Sequence, residues 1–261
     1  MRNLTKTGAR INSKIGKAIH DYNLIEPGDK ILIAVSGGKD SLTLLTLLKS
    51  IQSWAPVDFE IFAAHIKTDF SCSACMHEDL LKGIFDDMDI RYVFKDIKVL
   101  DDKGKTSCFW CSWNRRKALF ELADETGCKK VALGHHKDDI AETMLMNLFY
   151  NGEISAMNPR QELFEGKITV IRPLCYVEEK VIKQFAKESE FPEQLCSCPF
   201  GKDSRRKYVK DLIRETERRT PKINIKTNIF NSIARIKKDY TNLKEEREEN
   251  PKRHIDSSGD I

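Results

Sequence analysis

Residues 30–41 read KILIAVSGGKDS, an unbroken apolar run followed at once by Ser-Gly-Gly. A short run that is apolar almost throughout is typical of a strand buried on both faces, and the glycines predict a tight turn at its end. Apolar residues at helical spacing continue through 41–51 and predict a helix. A buried strand, a glycine turn and a helix therefore follow one another without a linker.

The same alternation of strand and helix continues along the chain. Further apolar runs predict strands at residues 60–66, 90–97, 130–133 and 168–173. Apolar residues at helical spacing predict helices at 78–88, 115–125, 138–149 and 178–188. This pattern predicts an α/β fold with a parallel five-stranded sheet and helices on both faces, in which ligands bind beyond the carboxyl ends of the strands.

Composition and charge narrow the class of protein. The 261 residues carry a formal net charge of +4, and Lys and Arg are concentrated in 202–238, which suits a polyanionic partner. There is no apolar run of about 18 residues, and 1–17 lack the apolar core of a signal peptide, so we expect a cytoplasmic protein with no membrane partner. A basic amphipathic helix is predicted at 9–22, and a further helical stretch is predicted through residue 240.

Six of the eight cysteines fall in close pairs. The pairs are Cys72/Cys75, Cys108/Cys111 and Cys196/Cys198. In a reducing compartment such pairs indicate a metal centre rather than a disulfide framework. Cys128 and Cys175 stand alone in apolar surroundings, and we expect both to be small buried hydrophobic residues.

The glycine turn is suited to a bound anion. Gly37 and Gly38 let backbone N–H groups approach a ligand, and the start of the following helix adds its positive end. The spacing differs from Gly-x-x-x-x-Gly-Lys-Ser/Thr. It resembles instead the SGGxDS loop of the PP-loop ATP pyrophosphatases, which cleave ATP between the α- and β-phosphates and leave AMP on a substrate.

That resemblance implies a set of ATP-binding residues in the loop. They are Ser36, Gly37, Gly38, Lys39, Asp40 and Ser41. Lys39 would supply positive charge to the phosphates, and Asp40 is suited to Mg²⁺, directly or through water. In the alternative structural role, Asp40 only stabilises the helix dipole.

Three further motifs follow the glycine loop. They are Cys108-Phe-Trp-Cys111 leading into Arg115-Arg116, then Leu133-Gly-His-His-Lys-Asp-Asp139, then Ile171-Arg-Pro-Leu174. With SGGKDS they resemble, in the same order, the tRNA 2-thiocytidine synthetase family, and the resemblance covers residues 10–228. It implies a PP-loop (adenine nucleotide alpha hydrolase-like) fold with added N- and C-terminal helices.

The resemblance also implies a reaction. ATP would adenylate the 2-carbonyl of a cytidine in the anticodon loop, at position 32 of the tRNA, and sulfur delivered by a [4Fe-4S] cluster would replace the oxygen. The family holds its cluster with three cysteines, here Cys108, Cys111 and one after Phe-Pro. Counts from the Phe-Pro and Thr-Pro dipeptides on either side favour Cys198 over Cys196 as that third ligand.

Cys72 and Cys75 have no counterpart in the family pattern. In one interpretation they form a four-thiolate zinc site with Cys108 and Cys111, but this leaves the pair Cys196/Cys198 unexplained. They would otherwise serve as a redox pair or a sulfur relay near the site.

The Leu-Gly-His-His loop is predicted to follow the fourth strand, and the resemblance places it at the nucleotide. Gly134 allows close backbone approach, while Asp138 or Asp139 can cap the following helix. Of these two, Asp139 is expected to be the more catalytic, with Lys39 and Asp40. Adjacent histidines cannot easily face one tetrahedral metal, so a phosphate or structural role is preferred for His135 and His136.

Basic residues near the predicted sulfur site favour tRNA as a partner, because they can bind its phosphates. A base in an RNA loop can also be splayed out for chemistry more easily than one in a duplex. The residues expected to bind it are Arg115, Arg116, Arg205, Arg206 and Lys210. The other expected partners are ATP and a sulfide or cysteine-desulfurase sulfur donor, and a homodimer is compatible with the sequence.

The sequence predicts four segments along the chain and leaves three alternative functions open. The segments are an N-terminal basic helical segment at 1–28, a PP-loop ATPase domain carrying the Cys-x-x-Cys at 29–190, a C-terminal helical, tRNA-facing segment with the third cluster cysteine at 191–240, and a mobile charged tail at 241–261. The competing functions are a tRNA 2-thiouridine synthase, a PP-loop nitrogen-transferring tRNA ligase with structural zinc, and a non-catalytic RNA-binding protein.

Overall fold

The structure, a computed structural model, describes residues 4–69, 74–192 and 205–237, with 74–77 described by their backbone alone. The expectation of a mobile tail at 241–261 concerns residues outside this part. No helix among the described residues is both long enough and apolar enough to span a membrane.

The chain divides into two compact units. The first unit contains residues 1–136 and 158–202, and the second contains 137–157 and 203–261. The first carries the sheet, and the described part of the second is helical.

A six-stranded sheet forms the centre of the first unit. Its strands are β1 (Asp29–Ala34), β2 (Phe59–Thr68), β3 (Arg91–Ile97), β4 (Lys130–Ala132), β5 (Arg160–Leu163) and β6 (Ile168–Ile171). The strand order is β3-β2-β1-β4-β6-β5, and every neighbouring pair is parallel except β5 and β6, which are antiparallel. The predicted α/β fold with five parallel strands is confirmed, and one edge strand is added to it.

The added strand β5 carries little sequence signal. Its sequence, RQEL, contains one apolar residue, and its side chains alternate between exposed and half-buried, as at the edge of a sheet. The turn to β6 holds Phe164, Glu165 and Gly166 at φ values of 53°, 57° and 82°. Only glycine adopts this left-handed region readily, so the first two residues give no warning of the turn.

Eight helices occur in the described residues. They are α1 (Lys6–Tyr22), α2 (Lys39–Gln52), α3 (Ala74–Asp87), α4 (Cys108–Glu125), α5 (Lys137–Tyr150), α6 (Glu179–Glu188), α7 (Arg205–Arg219) and α8 (Ile225–Ser232). In the first unit, α2 packs on β1 and β2, α4 packs on β2, β3 and β4, and α1 and α6 pack on α2 and on each other. The helix predicted through residue 240 ends at Ser232, so that expectation is wrong for the described residues after it.

The core of the first unit is centred on β1. Ile31, Leu32 and Ile33 have no exposed surface. Successive side chains of a strand point to opposite faces, so Leu32 packs with Ala118 and Leu122 of α4 while its two neighbours face the other side. Full burial of each such side chain contributes about 1.5 to 3 kcal/mol. The apolar run of the sequence therefore fixes β1 as a strand covered on both faces.

Two isolated cysteines are part of this interior. Cys128 is 2% exposed and Cys175 is fully buried, which confirms both predictions. Burial raises the pKa of the Cys128 thiol. Cys128 packs among the apolar residues between α4 and the sheet, where it serves as a small hydrophobic side chain.

The second unit is held together by apolar and ionic contacts among its helices. Val209 and Ile213 of α7 are buried. Lys226 Nζ of α8 lies 2.7 Å from Oδ1 of Asp138 in α5, and the Asp138 side chain is 2% exposed. Burial lowers the pKa of Lys226, but the attraction of Asp138 and then of Glu217 together outweighs burial, and the pKa is raised. The lysine is therefore a charged partner for a buried carboxylate.

Candidate active site

The SGGKDS loop joins β1 to α2, as the sequence predicts. Gly37 has a φ of +83°, a conformation in which a side chain would be strained, and Gly38 is the N-cap of α2. The first N–H groups of a helix have no partner within it, so α2 offers donors and its positive dipole end to an anion. Since β1 runs into this loop, the donors lie at the carboxyl edge of the sheet.

Two serines fix the shape of the loop. Ser41 Oγ accepts a hydrogen bond from the Ser36 N–H at 3.1 Å and donates one to the Gly38 carbonyl at 2.9 Å. The two hydroxyl oxygens of Ser36 and Ser41 are 3.2 Å apart. Ser41 is buried, and these contacts close the turn on itself. In this structure Ser41 shapes the phosphate loop.

Lys39 lies between two carboxylates. Its Nζ is 2.9 Å from Asp40 Oδ2 and 3.4 Å from Oε1 of Glu179. Burial lowers the pKa of Lys39, but the attraction of Asp40 and then of Glu179 outweighs burial, and the pKa is raised. Glu179 is missing from the sequence predictions. Its position at the start of the helix after β6 could have indicated it, because helices that follow parallel strands begin at the same sheet edge.

The second carboxylate oxygen of Asp40 is suited to bind a metal ion. Asp40 Oδ1 is buried and makes no hydrogen bond to any residue that the structure describes. His136 Nε2 lies 3.8 Å away, beyond hydrogen-bond distance. A buried carboxylate oxygen without a donor is a suitable ligand for a hard divalent cation. The residues present therefore fit the expected Mg²⁺.

Gly134 brings the loop after β4 against the phosphate loop. A Cβ at Gly134 would lie 3.1 Å from Asp40 C and from Ser41 N, and 3.3 Å from Asp40 O. These are backbone atoms, which cannot rotate out of contact as the end of a flexible side chain can. The glycine therefore allows two loops at the carboxyl edge of the sheet to approach more closely than any side chain would permit.

The two aspartates after this loop lie in the second unit. Asp138 is buried and forms an ion pair with Lys226. This pair connects α5 to α8, so Asp138 has a structural role. Asp139 is 20% exposed, and its Oδ1 lies 3.8 Å from Nη1 of Arg206. The catalytic role expected for Asp139 stays a prediction.

Cys108 and Cys111 occupy the first turn of α4, which begins earlier than the predicted 115. Ser107 is the N-cap, and its Oγ accepts a hydrogen bond from the Trp110 N–H at 3.0 Å. Residues three apart are neighbours on a helix surface, so one face presents both thiols. Cys108 is exposed and Cys111 half-buried. Because β3 precedes this helix, the pair also stands at the carboxyl edge of the sheet.

The pair fits part of the expected cluster site. Two cysteines on one helical turn, with no acidic residue in that turn, suit one metal centre. The described residues contain no group of three or more His, Cys, Asp or Glu that could hold a metal ion. Cys196 and Cys198 lie outside those residues, as does Cys72, and for Cys75 only the backbone is described, in α3.

The predicted RNA-binding residues divide between the two units. Arg115 and Arg116 are half-buried in α4 of the first unit. The other three lie on α7 and contact α5. Arg205 stacks over the Tyr150 ring at 4.9 Å, Arg206 Nη2 donates to Thr143 Oγ1 at 3.3 Å, and Lys210 Nζ lies 3.8 Å from Glu142 Oε1. These contacts position α7 on α5, and the RNA-binding role stays a prediction.

Arg172 is a further residue that the sequence reading left without a role, although it belongs to the Ile-Arg-Pro-Leu motif. It is fully buried, and burial followed by the like charge of Arg116 lowers its pKa to about 10. Its guanidinium donates to the Asn158 carbonyl, to Gln161 Oε1, and through Nε to Nδ1 of His135 at 3.4 Å. This cation therefore connects β5 to the loop after β4.

Known proteins have similar sequences over most of this length. The PP-loop domain family matches residues 8–194. A tRNA-cytidine(32) 2-sulfurtransferase from Pseudomonas fluorescens is 40% identical over 226 residues, which are 84% of this chain and 81% of that protein. A protein of the same name from Neisseria meningitidis serogroup C is 39% identical over 223 residues, which are 83% of this chain and 69% of that protein.

A solved structure shares the fold. The U34-tRNA thiolase NcsA from Methanococcus maripaludis with its [4Fe-4S] cluster has a TM-score of 0.72 at 23% identity, and the match covers 88% of this chain and 78% of that chain. At this identity the likeness concerns the fold alone. By identity and by coverage, the chain belongs to the tRNA-cytidine(32) 2-sulfurtransferase family of PP-loop proteins.

Proposed function

We propose that this protein is an ATP-dependent tRNA sulfurtransferase that converts a cytidine of the anticodon loop, at position 32, to 2-thiocytidine. Family membership supports this, since the relatives named above bear that activity in their names. The observation that carries the proposal is the common position of the phosphate loop, the Gly134 loop and the Cys108/Cys111 pair at the carboxyl edge of one sheet. That edge is where parallel sheets bind ligands.

ATP would supply a leaving group that the base lacks. The 2-carbonyl oxygen of cytidine attacks the α-phosphorus of ATP, a P–O bond forms, and pyrophosphate leaves. Hydrosulfide then adds to C2, and AMP departs with the original oxygen. The overall change is cytidine, ATP and hydrosulfide to 2-thiocytidine, AMP and pyrophosphate, with no net oxidation or reduction.

Residues of the phosphate loop would stabilise the charge that develops on the phosphates. The N–H groups at the start of α2 point at that charge, and Lys39 adds a cation held in place by Asp40 and Glu179. Mg²⁺ would bind Asp40 and neutralise part of the pyrophosphate charge. The two serines hold the loop in the conformation that directs these donors outward.

The first turn of α4 would help to hold the sulfur carrier. Cys108, Cys111 and Cys198 would bind a [4Fe-4S] cluster, which would supply the sulfur for the activated base. The cysteines themselves would orient the cluster, and Arg115 and Arg116 would hold the phosphates of the RNA loop nearby. Cys198→Ala is expected to abolish iron retention and Cys196→Ala to keep it; the reverse result assigns the third ligand to Cys196.

Mass spectrometry of tRNA nucleosides from cells with and without the gene tests the proposal. Loss of 2-thiocytidine, restored by the wild-type gene and not by Lys39→Met, is the expected result. Loss of 2-thiouridine instead would identify a uridine-directed thiolase, and an unchanged nucleoside profile would remove tRNA thiolation as the function. Iron and acid-labile sulfide in the anaerobically purified protein separate it from a nitrogen-transferring ligase with structural zinc.

A further inference from the structure

The first turns of α4 expose three large aromatic side chains beside the cluster cysteines. Phe109 is 47% exposed, Trp110 51% and Trp113 40%. The rings of Phe109 and Trp113, one helical turn apart, are nearly parallel, with 18° between their planes and 6.4 Å between their centroids. Apolar groups concentrated in this way mark a surface that binds a partner. We call these three residues the aromatic platform.

The charge around the aromatic platform is positive. α4 carries no acidic residue in its first turn, and its acidic residues lie in its second half. Arg115 and Arg116 follow Trp113 after one intervening residue and supply this charge, whereas the exposed segment 101–105 before the helix is neutral, with two aspartates and two lysines. Arg115 makes no ion pair with any residue in the described part of the chain. An anionic partner therefore complements this surface.

Exposed aromatic rings followed on the same helix by cations have the chemistry of a single-strand nucleic-acid site. Each unpaired base has a π face that stacks on Trp or Phe, while its phosphates take the charge of Arg and Lys. A second copy of this chain fits less well, because a two-fold contact through the aromatic platform would bring the same cations together. The observations thus favour RNA over self-association.

We propose that Phe109, Trp110 and Trp113 stack an unpaired base of a single-stranded RNA loop and so hold that loop beside Cys108 and Cys111. This inference rests on the proposed function and adds to it the surface and the chemistry by which the RNA loop is held. The aromatic platform begins at the residue after Cys108, so a base stacked there lies next to the sulfur source.

Direct binding to two RNA probes tests the aromatic platform. The first probe is a hairpin with an unpaired loop, and the second is the same stem as a blunt duplex. In the full-length protein, Trp110→Ala and Trp113→Ala are expected to weaken hairpin binding by about 5- to 150-fold each, as loss of one base stack does, and to leave duplex binding unchanged. Trp110→Phe, which keeps a stacking face, should retain most of the affinity.

Trp54→Ala is the matched control. Trp54 is 59% exposed and follows the carboxyl end of α2, at the edge of the sheet opposite the phosphate loop. Its loss is expected to leave hairpin affinity unchanged. The salt dependence of hairpin binding should also stay the same in both platform variants, because stacking displaces no counterions, and should become shallower in Arg116→Ala.

The outcomes separate this inference from the proposed function. Wild-type protein that binds neither probe contradicts both. Wild-type protein that binds the hairpin, with platform variants that bind it equally well or lose hairpin and duplex binding alike, contradicts the aromatic platform alone. Unchanged hairpin affinity together with a change of oligomeric state in Trp110→Ala would assign the surface to a second copy of the chain.

Discussion

Replacement of Gly134 by alanine is expected to separate the two loops of the phosphate site. The added Cβ would lie 3.1 Å from Asp40 C and Ser41 N. Non-bonded carbon atoms rest at about 3.5 to 4.0 Å, so one loop must move by about 0.4 to 0.9 Å. The atoms it meets are backbone, and both loops are anchored by strands of the same sheet, so the movement is transmitted to the phosphate donors.

Such a displacement should impair catalysis more than folding. A shift of about 1 Å in positioning costs on the order of 10²-fold in rate, so AMP formation in Gly134→Ala should fall by roughly 10- to 100-fold. Overpacking should lower the free energy of unfolding by about 1 to 3 kcal/mol. ATP affinity should also fall, because the displaced N–H groups bind the phosphates less well. Calorimetric titration with ATP, tRNA-dependent AMP release and urea unfolding measure these three quantities.

Gly16→Ala provides the matched control for this substitution. A Cβ at Gly16 meets no atom within 4 Å. The residue lies inside α1, where alanine is favoured over glycine by about 1 kcal/mol, so stability should rise and ATP affinity should not change. Wild-type ATP affinity and AMP release in Gly134→Ala would refute the claim that the close approach of these loops builds the phosphate site.

Three further sets of substitutions test other contacts of the structure. Lys39→Met should lower AMP release on the order of 10²-fold. Because the pKa of Lys39 is raised above its ordinary value of 10.5, a pH–rate profile of the wild type should show no loss of activity from this residue below that pH. Cys108→Ser should lose iron, whereas Cys128→Ala should keep it and lower the free energy of unfolding by about 1 to 2 kcal/mol, as iron assay and urea titration would show. Lys226→Met should destabilise the second unit by roughly 3 kcal/mol, because it removes the cation that lies 2.7 Å from the buried Asp138 carboxylate. The wild-type pair loses this stability as pH rises through the raised pKa of Lys226, and equal unfolding midpoints for wild type and variant would contradict its role.

The sequence predicts the parallel sheet well because its strands are covered on both faces. Ile31, Leu32 and Ile33 have to be apolar, and such a run is visible without any structure. The edge strand β5 needs no apolar face, so it leaves no periodic signal. The sequence also gives no signal for the start of α4, since Cys108 and the aromatic residues near it are exposed and follow no apolar stripe.

The candidate site is predictable where the backbone sets the chemistry and less so where distant side chains meet. The glycines of the phosphate loop and Gly134 are identified by local sequence alone. The contact of Glu179 with Lys39 depends on the order of the strands, which no local pattern specifies. Asp138 is the reverse case: its motif suggests a site residue, whereas in the structure it forms an ion pair with Lys226.

The path of the base oxygen tests the central claim most directly. tRNA carrying ¹⁸O at the 2-carbonyl of the target cytidine is incubated with the anaerobically prepared protein, ATP and sulfide, and the AMP released is analysed by mass spectrometry. The account predicts AMP that contains one ¹⁸O for each 2-thiocytidine formed. AMP without the label, at the same yield of thiolated base, would show that ATP does not activate the carbonyl and would contradict the mechanism.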